Sequence, residues 1–155
     1  MPGISIIQFT QDQVRTLTGV SSEAVRHWRK AVPYLSAKTG KTARFSFADV
    51  IGLAVTMEIV HSLGVHIGTL SGGIDALFRL LSRARPAALK SGTIVVTRTD
   101  AQLHNTEGRT VTLPATAVIV SLEPLVAKIQ KQIMPTSMGP ASATRPLAQE
   151  LQRNA

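Results

Sequence analysis

The helix start and stop signals of the first 33 residues constrain the fold more than any other feature of the sequence. Thr10-Gln11-Asp12-Gln13 is a T-x-x-Q capping box, in which hydroxyl and amide each satisfy an orphan backbone N–H at a helix start. Val14 and Leu17, three apart, give the short helix that follows one apolar face, and Gly19 supplies its stop. Ser21 and Ser22 offer an N-cap for a second helix, with Val25 and Trp28 pointing inward and Arg26, Arg29 and Lys30 pointing elsewhere. Pro33 closes that helix, because it has no N–H for the helical ladder and restricts the residue before it. Two helices this short, joined by Thr18-Gly19-Val20-Ser21, read as a helix-turn-helix.

Further along, Ser36 to Arg44 are polar and basic around a central Gly40, and the spacing predicts a small hairpin, a wing, between Tyr34-Leu35 and Phe45. Ser46-Phe47-Ala48-Asp49 is a second capping signal. It opens a helix whose apolar stripe is Val50, Leu53, Ala54, Met57 and Val60, capped by Gly64. A fourth helix is expected from Ile67 to Arg83, with Leu70, Ile74, Leu77, Phe78 and Leu81 inward. Gly72-Gly73 leaves open whether it is kinked or begins only at Gly73. After Pro86 the character changes: 93–97 and 117–120 read as short β-branched strands, 109–113 as a candidate third strand, and 122–133 as a helix. That helix carries Lys128 and Lys131, but Glu123 favours a dimer interface or a cover over the sheet over a membrane-surface role. From Pro135 the chain is rich in Pro, Ser, Ala and Thr and reads as a mobile tail, with one possible helical turn at 147–151. No internal repeat is present.

Charge decides the class of partner. The 155 residues carry 17 Lys and Arg against 9 Asp and Glu, a net charge of +8 with a pI near 10.9, which points to a polyanion. Six of those basic residues, with His27, lie between Arg26 and Arg44, a stretch that holds no acidic residue. Cysteine is absent, which excludes disulfides, thiolate metal sites and cysteine nucleophiles. The hydrophobic fraction of 44% suffices for a core, so wholesale disorder is excluded. The apolar run 117–120 is too short to span a membrane, and the first twelve residues lack the pattern of a secretory signal. His61 and His66 are five apart across a glycine without a nearby carboxylate, so no metal is expected. Neither a nucleophile elbow, a P-loop nor a dinucleotide fingerprint occurs, so no cofactor and no enzyme activity are expected. Trp28, at helical spacing from Val25, is read as core.

In order and spacing these elements resemble the MerR-like winged helix-turn-helix of bacterial regulators, over about residues 6 to 83. The resemblance rests on Phe9-Thr10, on Thr18-Gly19-Val20-Ser21 and on the arginine-aromatic element Ala24-Val25-Arg26-His27-Trp28. Phe45-Ser46-Phe47-Ala48-Asp49-Val50 at the wing exit and Ser62-Leu63-Gly64-Val65 at a helix end complete it. It implies that the second helix enters the major groove and the wing flanks the backbone, with Arg26 and His27 on phosphates and Trp28 in a buried aromatic slot. Departures are also visible. Glu23 puts a carboxylate on the second helix, Val32-Pro33 replaces a glycine-hydrophobic pair, and a strand-rich segment stands where classical regulators carry a long dimerisation helix. Without cysteine, the metal- and redox-sensing versions of the family are excluded.

The expected fold is therefore α+β: a mostly helical winged helix-turn-helix over residues 1–85, a small strand-containing α/β segment over 86–134 that joins homodimers, and a tail over 135–155. The expected partner is double-stranded DNA, in a cytoplasmic, nucleoid-associated regulator without a membrane role. Candidate DNA-contacting residues are Gln11, Arg15, Ser22, Glu23, Arg26, His27, Arg29, Lys30, Lys38, Lys41 and Arg44. Ser22, Glu23 and Arg26 are placed to read bases early in the second helix, while Lys38, Lys41 and Arg44 sit on the wing. Two alternatives are an excisionase-like architectural DNA-binding protein for phage or plasmid functions, and a protein-binding adaptor built on the helix-turn-helix.

Overall fold

Both capping boxes read from the sequence are closed in the computed structural model, which describes residues 7–40, 42–105 and 112–133. The chain enters through β1 (Gln8–Phe9). Thr10 Oγ1 then accepts from Gln13 N–H at 3.2 Å while Thr10 N–H donates to Gln13 Oε1 at 2.8 Å, starting α1 (Gln11–Thr18). Gly19 ends α1 at φ 77°, in the left-handed region that favours glycine. Ser21 Oγ accepts from Ala24 N–H at 3.1 Å and starts α2 (Ser22–Ala31). The helix-turn-helix is thus built from three local signals, and Val14, Val25 and Trp28 lie buried in the core beneath it.

Pro33 does more than stop α2. The helix ends at Ala31, Val32 takes an extended conformation, and Pro33 opens a further single turn, α3 (Pro33–Ser36), at the position where a missing N–H is tolerated. This corrects the expected hairpin between Tyr34-Leu35 and Phe45. Among the described residues from 37 to 44 there is no strand, only turns, bends and irregular backbone, with Gly40 at φ 85°. The strand that follows, β2 (Phe45–Ser46), pairs antiparallel with β1, Gln8 opposite Ser46 and Phe9 opposite Phe45. The wing strand has its partner at the entrance to α1, so the starts of α1 and α4 (Phe47–Leu63) lie side by side. Ser46 N–H donates to Asp49 Oδ2 at 2.9 Å and Asp49 N–H to Ser46 Oγ at 3.1 Å, closing the second box.

Helix α4 is the axis of the molecule, buried on nearly every side from Phe47 to Thr56 and at Ile59, and ended by Gly64 at φ 65°. The expected helix over 67–83 is split into a 3-10 turn, Ile67–Leu70, and α5 (Ser71–Arg83). The glycine pair inside α5 is a contact rather than a weakness. A Cβ on Gly73 would overlap the Thr97 carbonyl oxygen, and Gly73 N–H donates to the Arg98 carbonyl at 3.0 Å. After the unforeseen short helix α6 (Pro86–Ser91), the chain forms β3 (Thr93–Val96), β4 (Ala101–His104), β5 (Val118–Ser121) and α7 (Leu122–Ile133).

The strand order is β4-β3-β5, antiparallel throughout. A strand not expected from the sequence thus lies at 101–104; of the expected strand 109–113, residues 109–111 lie outside the described residues and 112–113 are not strand. Thr97 explains the turn, since its Oγ1 accepts from Asp100 N–H at 3.0 Å while its own N–H donates to the Asp100 carbonyl at 2.8 Å. Ala101, Leu103, Ile94, Val96, Val118 and Val120 face α4 and α5. Helix α7 covers α1, α4 and α6 with Leu122, Val126 and Ile129. One apolar cluster runs from Phe9 to Ile129, so the strand-containing segment shares its core with the helix-turn-helix. The fold is α+β with a mostly helical first half. The expected tail over 135–155 lies outside the described residues.

Candidate nucleic-acid interface

The amphipathic division of α2 creates the candidate surface. Val25 and Trp28 are buried, while Glu23, Arg26, His27 and Lys30 are all exposed. Those four positions have the spacing i, i+3, i+4, i+7, which is one stripe of a helix surface. Three of the four side chains are basic or imidazole, and Ser22, half-buried in the first turn, lies where backbone N–H groups are free to meet an anion.

The other candidates separate by what they touch. Arg29 Nη2 donates to Gln11 Oε1 at 2.7 Å, so two residues expected to reach DNA bind each other and tie α2 to α1. Burial pulls the Arg29 guanidinium below the ordinary arginine pKa. Arg15 is half-buried and lies 3.6 Å from Asp12 Oδ1, one turn back on α1. Arg44 is exposed at the end of the basic loop and donates to the Ala43 carbonyl at 3.1 Å. Lys41 lies outside the described residues.

Lys38 has a different place from the one its sequence position suggests. Its Nζ is 3.2 Å from Asp49 Oδ2 and donates to the Arg44 carbonyl at 3.0 Å, and it sits 5.8 Å from the centres of the Tyr34 and Phe45 rings. It closes the loop on itself. Asp49, 1% exposed, is the hub: the same carboxylate takes the Ser46 N–H, the Lys38 ammonium and the Tyr34 hydroxyl, the last at 2.7 Å.

Tyr34 carries the loop's other anchor. Its ring stacks on Phe78 with centroids 5.2 Å apart and 12° between planes, and Arg79 lies 5.8 Å from its centre. Its backbone N–H donates to Asp75 Oδ1 at 2.7 Å, so α5 supplies the cap that α3 lacks in its own sequence. Arg79 holds Asp75 in turn, Nε to Oδ2 at 2.9 Å. Burial first, then the hydrogen bond and negative charge of Asp49, push the Tyr34 phenol well above the usual tyrosine pKa, against a smaller opposing effect of Arg79. Sequence reading recognised Asp49 as a capping residue but not as the fastening of the loop. Nothing in local spacing pairs 34 with 49 and 75.

Among the described residues no group of three or more His, Asp or Glu side chains could hold a metal, and no helix is long and apolar enough to cross a membrane. Comparison with protein-family models, with curated proteins and with solved structures finds no match for this chain.

Proposed function

We propose that the chain is a sequence-specific, double-stranded DNA-binding transcription regulator of the MerR-like kind, acting at the nucleoid as a homodimer joined through its strand-containing half. The observation that carries this reading is the exposed stripe Glu23, Arg26, His27 and Lys30 on α2, raised on a helix-turn-helix whose opposite face is core. A helix of this width fits the major groove, where Arg26 and Lys30 reach phosphates or guanine edges and Glu23 accepts from cytosine N4. Arg44, exposed at the end of the loop that Lys38 and Asp49 fasten, supplies a flanking phosphate contact. Within this reading Lys38, Arg29 and Gln11 position the contacting surface from behind.

The test is to incubate the purified chain with sheared DNA of its host near physiological salt and to sequence what it retains. A few sharp peaks sharing a symmetric motif are expected. Broad, weakly preferred retention would replace the regulator with an architectural, excisionase-like protein. No retention would overturn the reading and leave α2 as a protein-binding surface.

A further inference from the structure

Strand β5 is an edge of its sheet. Among the described residues β5 pairs only with β3, so its other side has no strand against it. The hydrogen-bond phase of that edge follows from one distance. Leu122 N–H donates to the Gly92 carbonyl at 2.9 Å, and antiparallel pairs alternate between bonded and non-bonded. Val120 and Val118 therefore turn their backbone groups toward β3, and Ile119 turns both its N–H and its C=O outward. Edge strands are usually guarded by a charge, a proline or a bulge. Val118-Ile119-Val120-Ser121 has none of these.

Side chains and charge add to this. Four large apolar side chains are exposed among the described residues, and two of them, Leu63 at 60% and Ile119 at 55%, line one groove of about 480 Å³ along this edge. The groove's only charged residues are Glu58 and Lys128, one of each sign. A chain with a net charge of +8 repels its own copies over most of its surface, whereas at this groove the formal charges cancel.

We propose that β5 is the dimer seam: two copies pair antiparallel about a two-fold axis at Ile119, joining two three-stranded sheets into one of six. The pairing is self-complementary. Ile119 exchanges both backbone bonds with its counterpart, the two exposed Ile119 side chains meet, and Leu63, which lines the same groove, lies beside the joint. This rests on the homodimer part of the function proposed above and names where that dimer forms.

Light scattering on the full chain, without DNA, tests it. The wild type is expected at twice the 16.6 kDa chain mass, and Ile119→Pro at half the wild-type value with unchanged circular dichroism. Proline suits this site because the N–H it removes points outward and serves no bond to β3. Ile119→Lys, which changes only an exposed side chain, is the second variant and decides the question if the proline variant fails to fold. A monomeric wild type, or a dimer that survives both substitutions, overturns the proposal. A wild-type monomer that dimerises when residues 134–155 are deleted assigns the edge to the chain's own C-terminal segment instead. The two readings fail separately. A β5 dimer that ignores DNA sinks the regulator and leaves the seam standing, while a monomer that binds DNA does the reverse.

Discussion

Lys38 Nζ lies 3.2 Å from Asp49 Oδ2, joining the start of the basic loop to the first turn of the central helix. The carboxylate is buried and the lysine side chain is 27% exposed, so the pair stands at the boundary of core and solvent. The consequence is a loop with no strand among its described residues that is nevertheless fastened at both ends, since the same ammonium also binds the Arg44 carbonyl. Asp49 is therefore expected to matter for stability far more than an ordinary surface carboxylate.

Asp49→Ala should lower the unfolding free energy by about 3 kcal/mol, because it removes at once the carboxylate partner of the Lys38 ammonium, the Tyr34 hydroxyl and the Ser46 N–H. Tyr34→Phe removes one of those bonds and keeps the stacking on Phe78, so a loss of about 1 kcal/mol is expected. Urea denaturation of the two variants measures both. Equal losses would mean that Lys38 gains nothing from the carboxylate.

The Tyr34 phenol also makes stability depend on pH. Its folded pKa is raised, so the neutral form is favoured in the native state and the unfolded chain ionises first. Stability from this group is fully present below about pH 10, the ordinary tyrosine value, and is lost as pH rises from there toward the folded pKa. Tyr34 is the only tyrosine, so tyrosinate absorbance reports it alone. The folded protein should show no tyrosinate signal at a pH where the urea-unfolded chain is half ionised. Coincident titration curves would contradict the buried hydrogen bond.

On the exposed stripe of α2, Arg26→Glu should leave the melting temperature unchanged and reduce DNA affinity at least tenfold, a loss of about 1.4 kcal/mol or more. Arg29→Ala should lower both stability and affinity, since its guanidinium is bonded to Gln11 rather than free. Fluorescence anisotropy across a salt series separates the two. Wild-type affinity should fall steeply with salt, and the Arg26 variant should show the shallower slope. An unchanged affinity in Arg26→Glu sinks the interface.

Two glycines of one segment should respond oppositely to alanine. At Gly73 the new methyl meets the Thr97 carbonyl and Val96, and a loss of roughly 3 kcal/mol is expected from overpacking against backbone. At Gly68, in the 3-10 turn, nothing lies within 4 Å of the added carbon. There the change should fall within about 0.5 kcal/mol of wild type, on the stabilising side. Thermal melts of both variants provide the check.

Short-range chemistry accounts for what was legible before the fold was known. Thr10, Ser21 and Ser46 start their helices through bonds spanning three residues, and Gly19 and Gly64 end two of them by adopting a left-handed conformation. Such signals complete within one turn of chain, so residue order alone reveals them, and with them the α+β class and the basic face of α2. The hairpin expected over 36–44 failed because Phe45 and Ser46 found their ladder partners far back at Gln8 and Phe9. Strand 101–104 was missed because Ala, Gln and His have weak β preference, and its two-residue alternation acquires meaning only against Ile94 and Val96. The same reason hid the ion pair that Lys38 makes with Asp49. Its charge is written in the sequence, but its partner is set by burial and distance, which bring Tyr34, Asp49 and Asp75 together from three helices.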